Sequence, residues 1–270
     1  MSTSMHGVRV GDVVDGGTYV DVAGRPIWHF VDGEPSGPPT VLLHGAFASA
    51  ATWGAQIPDF LGGGLRLYVP ERSGHGHSPD GPEPFTYESM ADELIAYLDG
   101  VVGGPAHLVG WSDGSVVALL VAYRRPDLVN RMVVFGQFYN QAGREADEFS
   151  ELLRRRDPHT VDVLRADYAT NSPDGADHFD VVLDKELALI ARAPDYDLRG
   201  LSGITAPTLV VQGDHDVVRL EHSVELVRNL PAGRLAVLPG THILPVEAPE
   251  LFNPLVLSFL ALDPPRRWLP

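Results

Sequence analysis

The chain has 270 residues, 44% hydrophobic and 21% charged, with 36 acidic against 20 basic residues and a formal net charge of −16. That is the balance of a folded globular protein, long enough for one large domain or a core carrying an insertion. A surface this acidic repels nucleic-acid backbones and anionic lipid, setting both aside as partners, and the absence of cysteine excludes disulfides, thiolate metal sites and a cysteine nucleophile.

The N-terminal stretch MSTSMHGVRVGDVVDGG lacks the basic start and apolar run of a secretory signal. The longest apolar run, Val116 to Tyr123, spans 8 residues, against about 20 for a membrane helix. A cytoplasmic protein is the expectation. TYVDVAG and RPIWHFVDG alternate around Gly24 and predict an antiparallel hairpin. After the loop EPSGPP, Pro39–Leu43 reads as a short strand covered on both faces. Residues 50–61 look helical, LRLYVP reads as a strand, and FTYESMADELIAYLDGVV carries helical spacing with Thr86 as its cap. AHLVGW is a strand, DGSVVALLVAYRR a helix stopping before Pro126, and RMVVFG a strand. Strands alternating with helices predict an α/β fold, a mostly parallel sheet with helices on both faces.

The alternation then breaks. Residues 139–204 hold no convincing strand but three amphipathic stretches, EADEFSELLRRR, TVDVLRADYA and HFDVVLDKELALIARA. They are separated by Asp157-Pro158, Ser172-Pro173-Asp174-Gly175 and Ala193-Pro194. The rhythm resumes with PTLVVQGD, the helix EHSVELVRNL, the strand RLAVLPG and a last helix from Pro249 to about Leu262. The expected organisation is a core over 1–138 and 205–270, interrupted by a helical cap over 139–204.

The chemistry centres on Gly110-Trp111-Ser112-Asp113-Gly114. Gly-x-Ser-x-Gly between a strand and a helix places the serine on a tight, strained turn that demands small neighbours two residues away. The turn also aims the Asp113 N–H at a reacting carbonyl, beside the positive end of the helix dipole. A serine needs a base, and the base an orienting carboxylate. His242 follows the final strand, at the sheet edge where sites of open parallel sheets gather. Asp214 and Asp216 both follow the preceding strand. Asp216 is favoured because it lies farther past the strand end, leaving Asp214 to brace the loop. The second oxyanion donor is the N–H of Ala46 in His44-Gly45-Ala46-Phe47, and such a donor is worth about 3 kcal/mol in the transition state. Phe47, Trp111 and Ile243 are expected to line a substrate pocket, closed in part by the apolar face of the cap.

VLLHGAF, PERSGHGHSPDG, LVGWSDGSVVAL, PTLVVQGDHDVV and PGTHILPVEAPELF, spread in order over residues 41–252, together resemble the α/β-hydrolase superfamily. The resemblance is to its branch of small esterase-like and perhydrolase-like enzymes with a helical cap. It implies an α/β-hydrolase fold, the acid at Asp216, and oxyanion donors at Ala46 and Asp113. The family usually has Asp at Glu71, a second Arg at Ser73, Gly at Ser115 and Gly at Thr241. These departures remove no catalytic group, but they mark a divergent subfamily.

His75 and His77, with Asp80, could suggest a metal, but their segment is a structural turn in the family. Arg154-Arg155-Arg156 reads as a solvated helix face, and Glu247 as a cap of the last helix. Phosphate-loop and dinucleotide fingerprints are absent, so the sequence calls for no cofactor and no metal. The leading expectation is a serine hydrolase that cleaves an ester, lactone or thioester of a small, largely apolar molecule through an acyl-enzyme. The same triad would also serve perhydrolysis, carbon–carbon hydrolysis or cofactor-free oxygenation. A ligand receptor on this fold is the alternative from a different class. The oligomeric state has no signature in the sequence.

Overall fold

The structure is a computed structural model that describes residues 8–145, 148–192 and 194–262. Residues 1–7 of the N-terminal stretch, Ala146 and Asp147 of EADEFSELLRRR, Ala193 of the Ala193-Pro194 break and residues 263–270 lie outside the described residues.

The alternating stretches around Gly24 pair as antiparallel strands, β1 (Thr18–Val22) and β2 (Arg25–Asp32). Ala23 and Gly24 both take positive φ, 52° and 84°, as a two-residue turn must if its twist is to match the strands. The remaining strands are β3 (Pro39–Leu43), β4 (Arg66–Pro70), β5 (Ala106–Trp111), β6 (Val129–Phe135), β7 (Thr208–Gly213) and β8 (Gly233–Leu238). They form one sheet in the order β1-β2-β4-β3-β5-β6-β7-β8. β2 joins β4 antiparallel, and every pairing from β4 to β8 is parallel. After β3 the chain moves outward to β4, then returns on the other flank as β5. The ends of β3 and β5 therefore flank the point where strand order reverses, the crevice in which open parallel sheets place their sites.

Successive residues of the central strands face opposite sides. Leu108 and Val134 pack with Leu94 of α2 (Tyr87–Tyr97), Val117 of α3 (Asp113–Arg124) and Leu226 of α8 (Leu220–Asn229). Val109 and Val133 pack with Phe60 of α1 (Ile57–Gly62) and Phe252 of α10 (Pro249–Ala261). All six residues of β5 are buried, which explains why that strand, His107 apart, reads as an apolar run. Thr86 caps α2 by accepting from Ser89 N at 3.0 Å. The predicted helix over 50–61 is instead a 3₁₀ turn, Ala50–Trp53, followed by α1. Pro58 in the first turn of α1 cannot sit mid-helix without losing a backbone bond, so the helix restarts there.

Between β6 and β7 lie α4 (Glu148–Arg154), α5 (Pro158–Asn171), α6 (Phe179–Arg192) and the short α7 (Leu198–Leu201). Asp157 caps α5 through Thr160 N at 3.0 Å, with Pro158 at its first position. Leu153, Val161, Tyr168, Phe179, Val182 and Leu183 form a separate buried cluster within this segment. Polar contacts at Asp80 and at His75 are among those that tie it to the sheet domain. Lys185 donates to Asp80 at 2.6 and 2.8 Å, and His178 Nε2 lies 2.8 Å from the same carboxylate. Deeper in, Glu186 Oε1 lies 2.8 Å from His75 Nε2, both side chains at most 2% exposed. Among the described residues no helix is long and apolar enough to cross a membrane.

Candidate active site

Ser112 sits between β5 and α3 with φ 55° and ψ −119°. For a residue with a Cβ this backbone costs about 1–3 kcal/mol and persists only where the surroundings over-determine it. They do so here. Ser112 N donates to Phe135 O at 2.8 Å on β6, and Ser115 Oγ both donates to Phe135 O and accepts from Phe135 N, at 2.9 and 3.0 Å. The flanking glycines are required by contact. A Cβ on Gly110 would lie 2.6 Å from Gly114 O, and one on Gly114 would lie 2.2 Å from Leu43 O.

The structure brings Ser112, His242 and Asp216 together. His242 Nε2 lies 3.0 Å from Ser112 Oγ, and His242 Nδ1 lies 2.7 Å from Oδ1 of Asp216, whose side chain is fully buried. With Asp216 ionised, Nδ1 carries the proton and Nε2 faces the serine as an acceptor. Asp214 points elsewhere, accepting from Gly240 N at 2.9 Å. Trp111 holds the histidine from behind, its Nε1 donating to His242 O at 2.8 Å. Gly136 leaves room for the imidazole, since a Cβ there would meet Cε1 at 2.6 Å. Glu247 does not cap the last helix as expected from sequence. It closes the short helix α9 (Leu244–Glu247) and turns back to accept from Thr241 N and Oγ1, both at 2.9 Å. The carboxylate thus fixes the residue preceding His242, where the family usually has glycine.

Ala46 and Asp113 line the same cavity as Ser112. As the first residue of α3, Asp113 has no intrahelical acceptor for its N–H. The Ala46 N–H is aimed indirectly. Arg72 donates to His44 O at 2.5 Å and to Gly45 O at 3.0 Å. In a trans peptide the N–H opposes the C=O, so holding Gly45 O turns the Ala46 N–H away from Arg72. Gly45 lets the loop approach, since a Cβ there would lie 3.2 Å from Ser112 Cβ. His44 completes the brace. It accepts Arg72 N at Nε2 (3.1 Å) and approaches Gly45 O with Nδ1 (2.8 Å). That role needs a neutral ring, and burial, with Arg72 adjacent, lowers its pKa well below 6.5.

Beneath the elbow the Asp113 carboxylate is buried, accepting from Tyr87 Oη at 2.7 Å. Burial, with Glu186 nearby, raises its pKa, while Arg72 and the Tyr87 hydrogen bond oppose the shift. His75 is committed to Glu186, and His77 Nδ1 lies 3.0 Å from Glu71. Among the described residues no group of three or more such side chains is arranged to hold a metal ion. Arg154 and Arg156 pair with Glu151 and Asp184 on an exposed face.

Above Ser112 lies a cavity of about 820 Å³. The sheet domain lines it with Phe47, Trp111 and Ile243, the three residues singled out from sequence, and the cap with Phe149, Leu152, Leu164 and Ile190. Arg144 and Val217 also face it, and neither was foreseen. Arg144 lies four positions before the start of α4, in a stretch without periodicity. Only its pairing with the loop after Asp216 brings it to the site.

His222 on α8 supports that pairing. Its ring stacks on Tyr139 at 3.6 Å between centroids, its Nε2 accepts from Tyr139 N at 3.1 Å, and a Cβ on Gly143 would strike it at 2.3 Å. Burial, reinforced by Arg219 against the pull of Glu225, lowers its pKa from 6.5 to about 4. Between those values the unfolded chain binds a proton here that the folded one refuses. Stability therefore falls as pH drops through that window. In urea unfolding at a series of pH values from 8 to 4, His222→Gln should cost stability at pH 8 but flatten the acid slope by up to about 1.4 kcal/mol per pH unit. An unchanged slope would assign the acid sensitivity to other groups, such as His107, which burial also lowers to about 4.

Residues 40–255 match the Alpha/beta hydrolase family. The chain belongs to it. It is 29% identical over 268 residues to a pyrrolizixenacetamide deacetylase from Xenorhabdus hominickii, covering 89% of this chain and 97% of that one. It is 30% identical over 252 residues to a putative carbamate hydrolase from Stutzerimonas stutzeri, covering 84% and 93%. A hydrolase structure from Pseudomonas aeruginosa superposes with a TM-score of 0.73 at 24% identity, covering 92% of this chain and all of that one. Family and relatives alike support a hydrolase, and the eight-stranded sheet is the α/β-hydrolase fold.

Proposed function

We propose that this hydrolase cleaves an ester, lactone or thioester of a small, largely apolar molecule through an acyl-enzyme on Ser112. The observation that carries the reading is the continuous chain from Asp216 to His242 to Ser112, at 2.7 and 3.0 Å, opening into the cavity between sheet and cap.

In this reading His242 Nε2 takes the Ser112 proton as Oγ bonds to the substrate carbonyl carbon, and Asp216 holds the resulting imidazolium. The carbonyl electrons move to oxygen, where the N–H groups of Ala46 and Asp113 stabilise the charge. Collapse of the intermediate expels the alcohol or thiol, which takes the proton from His242 and leaves Ser112 acylated. Water then loses a proton to the same histidine and attacks the acyl carbon; the bond to Ser112 Oγ breaks, Oγ takes the proton back from His242, and the acid is released. Mostly apolar walls favour a hydrocarbon acyl or alcohol group.

The test is labelling with a fluorophosphonate probe followed by a panel of p-nitrophenyl esters, lactones and thioesters. An amide and a carbamate join the panel because two relatives bear such names. Stoichiometric labelling at Ser112 with turnover of at least one oxygen or thioester class is expected. An unlabelled Ser112 and an inert panel would refute the reading.

A further inference from the structure

Acidic residues outnumber basic ones 36 to 20 in this chain, and many surface arginines are ion-paired: Arg25 with Glu83, Arg124 with Asp92, Arg125 with Asp99, Arg165 with Asp180. Arg144 is placed differently. It lines the cavity over Ser112, its Cζ lies 4.8 Å from the centroid of the Phe138 ring, and its Nε is buried without a hydrogen-bond partner. No ion pair joins it to a carboxylate among the described residues, Glu148 of the same cavity included.

Its backbone is held by the loop that carries the acid. Arg144 forms an antiparallel bridge with Val218, Glu145 N donates to Val217 O at 2.8 Å, and Arg219 N donates to Gly143 O at 2.9 Å. Val218 N in turn donates to Asp216 Oδ1 at 3.2 Å. The cation is thereby registered against the same loop as the Asp216 to Ser112 chain, which is how a specificity residue must be mounted if it is to select by position.

A guanidinium presents five N–H donors in a rigid plane and no acceptor, and here it lies over the Phe138 ring. In a cavity whose walls are mostly apolar such a group is costly unless something satisfies it. A carboxylate matches it bidentately, in the strongest class of protein hydrogen bond. We infer that Arg144 binds a free carboxylate on the substrate. The preferred substrates are then half-esters, or the corresponding thioesters or lactones, in which a hydrocarbon spacer separates the scissile carbonyl from a carboxylate. The inference rests on the Ser112 reading above and adds the substrate class.

The test compares p-nitrophenyl half-esters of glutaric, adipic and suberic acids with p-nitrophenyl esters of pentanoic, hexanoic and octanoic acids. At one spacer length at least, kcat/KM for the half-ester should exceed that of its neutral counterpart tenfold or more. Arg144→Met should reduce that ratio at least tenfold, chiefly through KM, and Arg144→Lys should retain part of it. A structural Arg144 would lower both series together and leave the ratio intact. That result overturns the inference, as does a wild-type ratio of one or below at every length. If the protein turns over neither series and resists fluorophosphonate, the serine reading has failed. The Arg144 inference is then decided by calorimetric binding to Ser112→Ala. Tighter binding of monomethyl adipate than of dimethyl adipate, abolished by adding Arg144→Met, supports it, and equal affinities overturn it.

Discussion

Replacing Ser112 by alanine should lower kcat on a short p-nitrophenyl ester by roughly 10⁴-fold or more and abolish fluorophosphonate labelling. His242→Ala should lose nearly as much, and the double variant little more, because nucleophile and base act as one unit. Ser112→Gly separates chemistry from strain. Position 112 holds φ 55°, a backbone that glycine adopts without penalty. This variant should therefore be as inactive as Ser112→Ala yet melt higher, with a gain of about 1 kcal/mol. Turnover surviving in Ser112→Ala would place the nucleophile elsewhere. A melting temperature no higher in Ser112→Gly would mean that the elbow is not strained.

The second large effect is on folding. Gly114→Ala puts a methyl group 2.2 Å from Leu43 O, 2.6 Å from Leu43 C and 2.8 Å from His44 O. These are backbone atoms at the end of a buried strand and cannot yield as a side chain would. The variant should lose about 3 kcal/mol or more, a fall in Tm of roughly 6–12 °C, and with it fluorophosphonate labelling. Gly100→Ala is the control. Nothing lies within 4 Å of its Cβ, so its stability should stay within about 0.5 kcal/mol of the parent. Equal stability of Gly114→Ala and Gly100→Ala would contradict the close packing of α3 on the end of β3.

The departures from the family pattern show what partners do for single residues. Glu71, where the family usually has Asp, accepts from Ala50 N at 2.9 Å and His77 N at 2.6 Å. Its longer side chain occupies the space beside Gly76, where a Cβ would lie 2.3 Å from the carboxylate. Ser73 donates to Glu93 at 2.5 Å, Ser115 ties the elbow to β6, and Thr241 is pinned by Glu247. Each substitution is legible as a departure in sequence. Its compensation is not, because the partner lies up to 21 positions away on another element.

The sheet and the elbow were legible because their signals are local. Apolar runs covered on both faces mark the parallel strands, and a strand-to-helix turn with small residues on both flanks marks Ser112. The order of serine, acid and histidine narrowed the partners to His242 and two aspartates. The choice between Asp214 and Asp216 rested on spacing past the strand end and on the family resemblance. Geometry assigns them different tasks, one bracing Gly240 and the other facing His242 Nδ1 at 2.7 Å. Glu247 shows the limit of local reading, since its carboxylate near a helix start turns back to Thr241 instead.

By itself, then, the sequence determined the alternation that builds the sheet, the helical stretch between β6 and β7 and the residue types that meet around Ser112. All of these depend on neighbours within a few positions. The tertiary structure decided how the cap meets the core, through Asp80 with Lys185 and Glu186 with His75. It also decided what fills the wall above Ser112. Arg144 carries no motif and no periodicity, and it joins the site because an isolated bridge to Val218 places it there. Pockets are made by elements distant in sequence. Their chemistry is fixed by packing, which no local pattern encodes.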